Sequence, residues 1–114
     1  MKKWVFLGLL WTTPTIAADM PVPSFKNGNQ LNEICGNPEG NVPCTAYIAG
    51  AIDAINGMAV SAGGHPLCTP DTVTTIQAAD VVRKWLKDHP EKRHYVAFSA
   101  VLSAISDAFP CPPK

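Results

Sequence analysis

Apolar residues recur along most of this chain at intervals of three and four, and no segment alternates apolar and polar residues long enough to predict a strand. The pattern predicts four helices. The first is short, with Asn29 as its N-cap and Gly36 at its end. A loop through Pro43 follows, and the second helix runs from about Cys44 to Ala62. Short connections favour antiparallel neighbours, so the predicted fold is all-α, a compact bundle of about four helices.

The third and fourth helices have clearer boundary signals. Thr74 and Gln77 form the two halves of a capping box, so the third helix begins there, and Pro90 should end it near Asp88. Pro90 also suits a first helical position, which predicts that the fourth helix starts at once, and its uncharged middle should be covered on most sides. The apolar positions expected on the buried stripes are Leu31, Ile34, Cys35, Tyr47, Ile48, Ala51, Ile52, Ile55, Met58, Ala59, Ala78, Val81, Val82, Trp85, Leu86, Tyr95, Phe98, Val101, Leu102, Ile105 and Phe109.

The second helix has two further features. Small residues that permit close approach of a neighbouring backbone recur on it at every fourth position, and they are Ala46, Gly50 and Ala54. Asp53 is its only charge, and an acid in an apolar helix must face water or find a partner. The structural interpretation is a hydrogen bond or an ion pair, with Arg93 or His94 as partner, and the alternative is a functional role.

The beginning of the chain has the three-part layout of a secretory signal peptide. Two lysines precede an apolar run of eight residues that ends at Trp11, and a small-residue tail follows. A membrane span would need about 20 apolar residues. We predict cleavage after Ala18, with Ala17 as the alternative site and an uncleaved anchor as the alternative interpretation. The chain then divides into a signal peptide at residues 1–18 and an exported helical domain at 19–114.

Charge and cysteine content narrow the classes of function. Beyond the two lysines of the signal peptide, seven basic residues face nine acidic ones, so the mature chain has no overall attraction to nucleic acid or to an anionic membrane. No later segment is long and apolar enough to span a bilayer. An even number of cysteines behind a signal peptide favours a disulfide framework. Metal binding is the alternative, but no C-x-x-C motif is present.

The expected helices decide how the four cysteines pair. The second helix carries the chain about 27 Å away from Cys44, and the six-residue return to Cys68 covers at most about 22 Å, so these two should lie at opposite ends of the bundle. Cys35 and Cys44 flank one loop, whereas Cys68 and Cys111 flank two helices that we expect to be antiparallel. The predicted pairs are therefore Cys35–Cys44 and Cys68–Cys111.

Candidate catalytic chemistry is sparse. His65, His89 and His94 do not have the spacing of ligands on one helix face, and no nucleophile motif is present. No catalytic residue, metal site or cofactor is predicted. The run from Arg83 to His94 contains five basic and two acidic residues. It is either a solvated helix junction or a basic surface for an acidic partner, which would raise the association rate more than the affinity.

Five motifs in order resemble a known family. They are Phe25-x-x-Gly28-x-x-Leu31-x-x-x-Cys35, Cys44-x-x-Tyr47-Ile48-x-Gly50-x-x-Asp53-Ala54, Cys68-x-Pro70-x-x-Val73-Thr74-x-x-Gln77, His89-Pro90-Glu91-x-Arg93-His94 and Ala108-Phe109-Pro110-Cys111. Together they resemble the Rap/Tai family of type VI secretion immunity proteins over about residues 25–111. Trp85 departs from the pattern, because a smaller residue is expected there.

The resemblance implies an all-helical periplasmic protein, often a homodimer, that binds a cell-wall amidase effector and blocks its active site. It implies no enzymatic activity and no cofactor. The motif residues look structural, so the contacts with the effector are expected on a loop and on a helix junction. The residues proposed for them are Gly63, Gly64, His65, Pro66, Lys87, His89, Lys92 and Arg93. The alternative function is a periplasmic acid-stress chaperone or another small helical protein-binding module.

Overall fold

A computed structural model of the chain describes residues 26–37 and 41–113, together with Lys2, Lys3 and Gly8. The predicted signal peptide lies almost wholly outside these residues, so its cleavage stays a prediction. The helices are α1 (Gly28–Gly36), α2 (Asn41–Ser61), α3 (Thr75–Asp88) and α4 (Ala97–Ala108), with a 3₁₀ turn at Pro90–Lys92. No strand occurs among the described residues, and the predicted all-α bundle is confirmed. In this part of the chain, no helix combines the length and the apolar character that crossing a bilayer requires.

The core is built from aliphatic side chains of all four helices. Leu31, Ile48, Leu86 and Ile105 come from α1, α2, α3 and α4 in turn, and each is completely buried. Each such side chain contributes about 1.5–3 kcal/mol when it is removed from water. Each of the four helices packs against the other three, and the most extensive contact is between α3 and α4.

Most of the predicted stripe positions are buried or half-buried, and three are wrong. Met58, Tyr95 and Leu102 are 56%, 57% and 39% exposed. Met58 lies on the outer face of α2, and Tyr95 precedes α4 because that helix begins later than predicted. The prediction that the uncharged middle of the fourth helix is covered on most sides is confirmed, because every residue from Ala97 to Ile105 except Leu102 is buried or half-buried.

The first helix begins two residues earlier than predicted. Asn27, not Asn29, is the N-cap, and its Oδ1 accepts a hydrogen bond from the backbone N–H of Gln30 at 2.9 Å. The backbone N–H of Asn27 in turn donates to Gln30 Oε1 at 3.0 Å. A capping box needs Glu or Gln three residues after the cap. Asn27 has Gln30 at that position, whereas Asn29 has Asn32.

The second helix begins at Asn41, inside the predicted loop. Thr45 Oγ1 donates to the carbonyl oxygen of Asn41 at 2.6 Å, which closes the first turn. Pro43 is compatible with this position, because amides of the first helical turn have no partner within the helix. The proline that indicated a loop is thus part of the helix start.

The start of the fourth helix is displaced from Pro90 to Ala97 by contacts with α1. The carbonyl oxygens of Arg93 and Tyr95 accept hydrogen bonds from Asn29 N and Gly28 N, both at 2.9 Å. The amide of Ala97, which would bond to Arg93 O in a continuous helix, donates to Lys26 O at 2.7 Å. The chain therefore makes only a 3₁₀ turn after α3 before it crosses α1.

Gly28 is required where this link crosses α1. A Cβ atom at Gly28 would lie 2.8 Å from both Cα and O of Arg93. Such a contact with backbone atoms is too short to be relieved by a side-chain rotation. The absence of a side chain at Gly28 therefore permits the two backbone segments to meet.

The structure joins Cys35 to Cys44 and Cys68 to Cys111, the two predicted pairs, with Cα–Cα distances of 5.0 and 5.1 Å. The second bridge forms because the chain returns along α2 after its end. In this return segment, the backbone N–H of Leu67 donates to Asn56 Oδ1 at 2.8 Å.

The expected antiparallel arrangement of the third and fourth helices needs correction. Trp85 Nε1 donates to Asp107 Oδ2 at 3.0 Å, although both residues lie near the C-terminal ends of their helices. In a fully antiparallel pair, one of these residues would lie near the start of the other helix. The helices α3 and α4 therefore cross.

Candidate functional site

The predicted contact loop is a rigid helix terminus. Gly63 has φ 76°, in the left-handed region that favours glycine. Its amide donates to Val60 O at 3.0 Å, and the Gly64 amide donates to Ala59 O at 2.8 Å. These two bonds form a Schellman motif, which satisfies the last carbonyl groups of α2. The loop is thus fixed by its own backbone.

The loop is also exposed to solvent, and a disulfide holds its C-terminal end. His65 and Pro66 are exposed, and they line an open cavity of about 380 Å³ together with both cysteines of the Cys68–Cys111 bridge. The disulfide therefore holds the end of the loop against the C-terminal segment. A loop whose shape is fixed before binding loses less conformational entropy on contact with another protein.

The predicted junction is organised around Trp85. The His89 ring stacks on the Trp85 ring with centroids 4.4 Å apart, and its Nδ1 lies 2.9 Å from the Trp85 carbonyl oxygen. Lys92 Nζ lies 5.7 Å from the centroid of the same indole, within cation–π distance. The indole N–H bonds to Asp107, so Trp85, which departs from the family pattern, has a partner for its polar atom.

Arg93 has a structural contact at the other side of the junction. Its Nε donates to Leu86 O at 2.6 Å and its Nη2 to Lys87 O at 3.3 Å, so the guanidinium caps the C-terminal end of α3. A cation at this position also interacts favourably with the helix dipole. Among the described residues, the Lys87 ammonium has neither an ion pair nor a hydrogen bond.

The eight predicted contact residues do not form one site. Arg83, on the same side of α3 as Lys87, places its Nη2 2.5 Å from Asn41 Oδ1 at the start of α2. Gly63 follows the end of α2, about 30 Å away along a helix of this length. The loop and the basic part of the junction therefore lie at opposite ends of α2.

The predicted partners of Asp53 are wrong. Arg93 bonds to the carbonyl groups of α3, and the His94 ring lies 4.1 Å from the Tyr95 ring. Asp53 is exposed and lines a shallow cavity between α2 and the start of α3. Thr69 lines the same cavity, and its Oγ1 is buried without a hydrogen-bond partner.

The sequence did not indicate how much of α2 is uncovered. Val42, Met58 and Val60 are 77%, 56% and 60% exposed, and the small residues predicted to face a neighbouring helix are exposed too. The available signal was the apolar character of the helix on all sides, which is typical of a helix covered all round. Its inner face is buried by the bundle, and its outer face is exposed.

The ionisable groups show few perturbations. Burial raises the pKa of Tyr47, and the hydrogen bond from Lys84 lowers the pKa of Asp88. All four cysteines are in disulfides, and no three metal-ligating side chains come together in the described part of the chain.

The structure is that of a disulfide-bonded helical domain with an exposed loop, a basic helix junction and an uncovered apolar helix face. The family model of Rap1a immunity proteins matches residues 27–111, and the chain therefore belongs to this family. The resemblance seen in the sequence is thus confirmed. Comparisons with curated proteins and with solved structures gave no significant match. Membership assigns the chain an immunity function against an effector protein, and its disulfides fit an exported protein.

Proposed function

We propose that this protein is a periplasmic immunity protein that binds a peptidoglycan amidase effector of a type VI secretion system and blocks its active site. The observation that carries the proposal is the match of residues 27–111 to the Rap1a immunity family. The expected signal peptide would place the protein where an injected cell-wall enzyme acts. One molecule of the protein would inhibit one molecule of effector, because the protein acts by occupying a surface of the effector and does not catalyse a reaction.

The loop Gly63–Pro66 is the part of the surface that we propose to enter the amidase cleft. Its Schellman motif and the Cys68–Cys111 bridge fix its shape before binding, so little conformational entropy is lost on insertion. Lys87, His89, Lys92 and Arg93 would contact the effector elsewhere. Because these junction residues lie at the far end of the bundle, one amidase contacts both regions only if it extends along α2.

Two measurements test this function. The purified mature domain should bind a catalytically inactive amidase encoded next to its gene, and co-expression in the periplasm should protect cells from lysis by the active amidase.

A substitution in the loop tests its proposed contact with the amidase. His65→Glu should weaken inhibition at least about tenfold, as expected for a charge placed in a packed contact. Thr72→Glu adds the same charge at another exposed turn and should leave inhibition unchanged. Lack of both binding and protection would refute the immunity function.

We further propose that a second copy of the chain covers the outer face of α2. Every fourth residue there forms one ridge, and it reads Val42, Ala46, Gly50, Ala54 and Met58. The side chains become smaller toward Gly50 from both ends, so the ridge matches itself when two helices cross at Gly50. Packing of such i±4 ridges is the commonest helix–helix class, with a crossing angle of about −50°.

The oligomeric state tests this face separately. A Cβ atom at Gly50 would meet no atom within 4 Å, so Gly50→Glu leaves the bundle itself intact. We expect the wild-type domain to sediment as a dimer and Gly50→Glu as a monomer, while the Thr72→Glu control remains dimeric. A monomeric wild type at about 100 µM, where even a weak complex of micromolar Kd forms, would contradict the proposed dimer.

A further inference from the structure

A cationic cleft lies between the end of α1 and the second half of α3. Its volume is about 250 Å³, and it is lined by Asn32, Cys35, Gly36, Arg83, Lys87 and Arg93. Three of these six residues are basic and none is acidic. Sequence reasoning included Lys87 and Arg93 among the contact residues, but not Arg83, which the fold brings next to them.

The two arginines of the cleft are held differently: Arg93 by two backbone carbonyl groups, and Arg83 by one carbonyl group and by the side chains of Asn41 and Asp80. Arg83 Nε donates to Cys35 O at 3.1 Å, and Arg93 Nε donates to Leu86 O at 2.6 Å. A carbonyl group fixes a guanidinium without cancelling its charge. Arg83 also pairs with Asp80 at 2.7 Å, but Asp80 is well exposed and does not line the cleft. The pair therefore offsets only part of the charge.

Lys87 provides the third charge, and among the described residues its ammonium makes neither a hydrogen bond nor an ion pair, although it interacts at longer range with the carboxylate of Asp88. The chain as a whole has no net charge at pH 7, so this positive potential is local. A local cluster suits one or two anionic groups and not a polyanion, whose binding needs a long basic surface. Guanidinium groups that are already oriented match the planar geometry of a carboxylate.

We infer that this cleft binds a carboxylate side chain of a protein partner, with Arg83, Lys87 and Arg93 as the cationic contacts and the Asn32 amide as a further donor. The inference rests on the proposed function only in the identity of the partner, which we take to be the effector. The cleft would then steer an acidic surface of the effector onto the N-terminal end of α2 while the loop acts at the other end.

A titration of the isolated domain tests the cleft without any effector. The probe is a triglutamate peptide at constant ionic strength, followed by NMR through the Nε–H signals of the two arginines and the side-chain amide of Asn32. We expect saturable shifts at these three groups. Lys87→Glu should weaken binding at least about tenfold, because it reverses the one charge that has no structural partner.

Lys84→Glu is the matched control, because Lys84 is exposed on the same helix but pairs with Asp88 and does not line the cleft. It should weaken binding clearly less than Lys87→Glu does, because the charge that it reverses is paired with Asp88 and lies outside the cleft. Equal losses in both variants, or shifts that do not saturate, would mean non-specific screening and would overturn the inference. Saturation by sulfate but not by the peptide would also overturn it, in favour of a site for a free oxyanion.

The effector provides a second measurement. Compared with the wild-type protein, the Lys87→Glu variant should associate with the amidase about tenfold more slowly at low salt, and the difference should be much smaller at high salt. If the amidase is inhibited with an unchanged association rate in this variant, the cleft inference fails and the proposed function stands. If the wild-type protein binds no amidase, the proposed function fails, while the peptide titration still decides whether the cleft binds carboxylates.

Discussion

The two ends of α2 are built alike but present different chemistry. Each end is tied by a disulfide, Cys35–Cys44 at the start and Cys68–Cys111 beyond the end. The start lies next to a cleft with three cationic side chains, whereas the end carries a glycine turn followed by His65 and Pro66. In the proposed function, one end would provide long-range electrostatic attraction to the effector, and the other would provide a preorganised shape. In a protein that acts by occupying a surface, these are separable tasks.

Removal of either disulfide should give the largest effects and should show that the two ends are not equally stabilised. The bridges close segments with sequence separations of 9 and 43 residues. On the chain-entropy estimate, Cys68→Ser with Cys111→Ser costs about 4 kcal/mol, and Cys35→Ser with Cys44→Ser about 2.5 kcal/mol. Urea unfolding of the two double variants measures the difference. Equal losses, or a larger loss at the first bridge, would contradict this order.

A substitution at the contact between α1 and the segment that joins α3 to α4 should have the next largest effect on the free energy of unfolding. In Gly28→Ala, the new methyl group would lie 2.8 Å from the backbone of Arg93, so one of the two segments must shift. Forced overpacking of this kind costs about 1–3 kcal/mol. Urea unfolding measures the loss, and Gly57→Ala is the control.

Gly57 lies in α2 with no atom within 4 Å of an added Cβ. Since alanine favours helix more than glycine does, Gly57→Ala should stabilise the domain by about 0.5–1 kcal/mol. Opposite signs for the two substitutions would establish that close approach, and not glycine itself, matters at residue 28. If Gly28→Ala stabilised the domain, the segment that joins α3 to α4 would not pack closely against α1.

These contacts also show which parts of the fold the sequence could predict. The third helix was predicted correctly because its start and its stop are both encoded locally, in the Thr74–Gln77 capping box and in Pro90. The distance along the second helix correctly excluded a Cys44–Cys68 bridge, whereas the Cys68–Cys111 pair was predicted from an antiparallel arrangement of the third and fourth helices that the structure does not have. The start of α4 could not be predicted, because it is displaced by hydrogen bonds from Gly28 and Asn29, more than 60 residues away in the sequence.

The candidate site was predictable only in part, for similar reasons. The Gly63–Gly64 turn is a local signal, and its exposure followed from its place between two helices. Arg83 and Arg93 line the same cleft because of the way in which α3 and α1 pack, and the periodicity of apolar residues does not specify that packing. Met58 was assigned to the core because an apolar helix gives no indication of which face its neighbours leave uncovered.

A substitution in the glycine turn at the end of α2 should have a moderate effect on stability and on inhibition, and it tests whether the shape of this end is used. Gly63→Ala places a Cβ atom in the left-handed region, at φ 76°, which costs about 1 kcal/mol. We expect this loss in urea unfolding, with a weaker inhibition of the amidase because the turn relaxes. Gly63→Asn should recover part of both, since asparagine tolerates this conformation. An unchanged inhibition in Gly63→Ala would show that the shape of the loop is not used.

The smallest expected effect concerns Asp88, at the charged end of α3. The hydrogen bond from Lys84 lowers the pKa of Asp88, and the nearby cations add to the shift. A lowered folded-state pKa contributes stability above the unfolded pKa of about 3.9, and this contribution is lost as the pH falls through the folded-state value. Asp88→Asn should therefore lower Tm slightly at neutral pH and not at all once Asp88 is protonated in both states. The difference should be small, because both partners are exposed and a carboxylate near a helix C-terminus opposes the dipole. Asp71→Asn, in the turn before α3, is the control. A Tm difference for Asp88→Asn that grows toward low pH would contradict the assignment of the shift to Lys84.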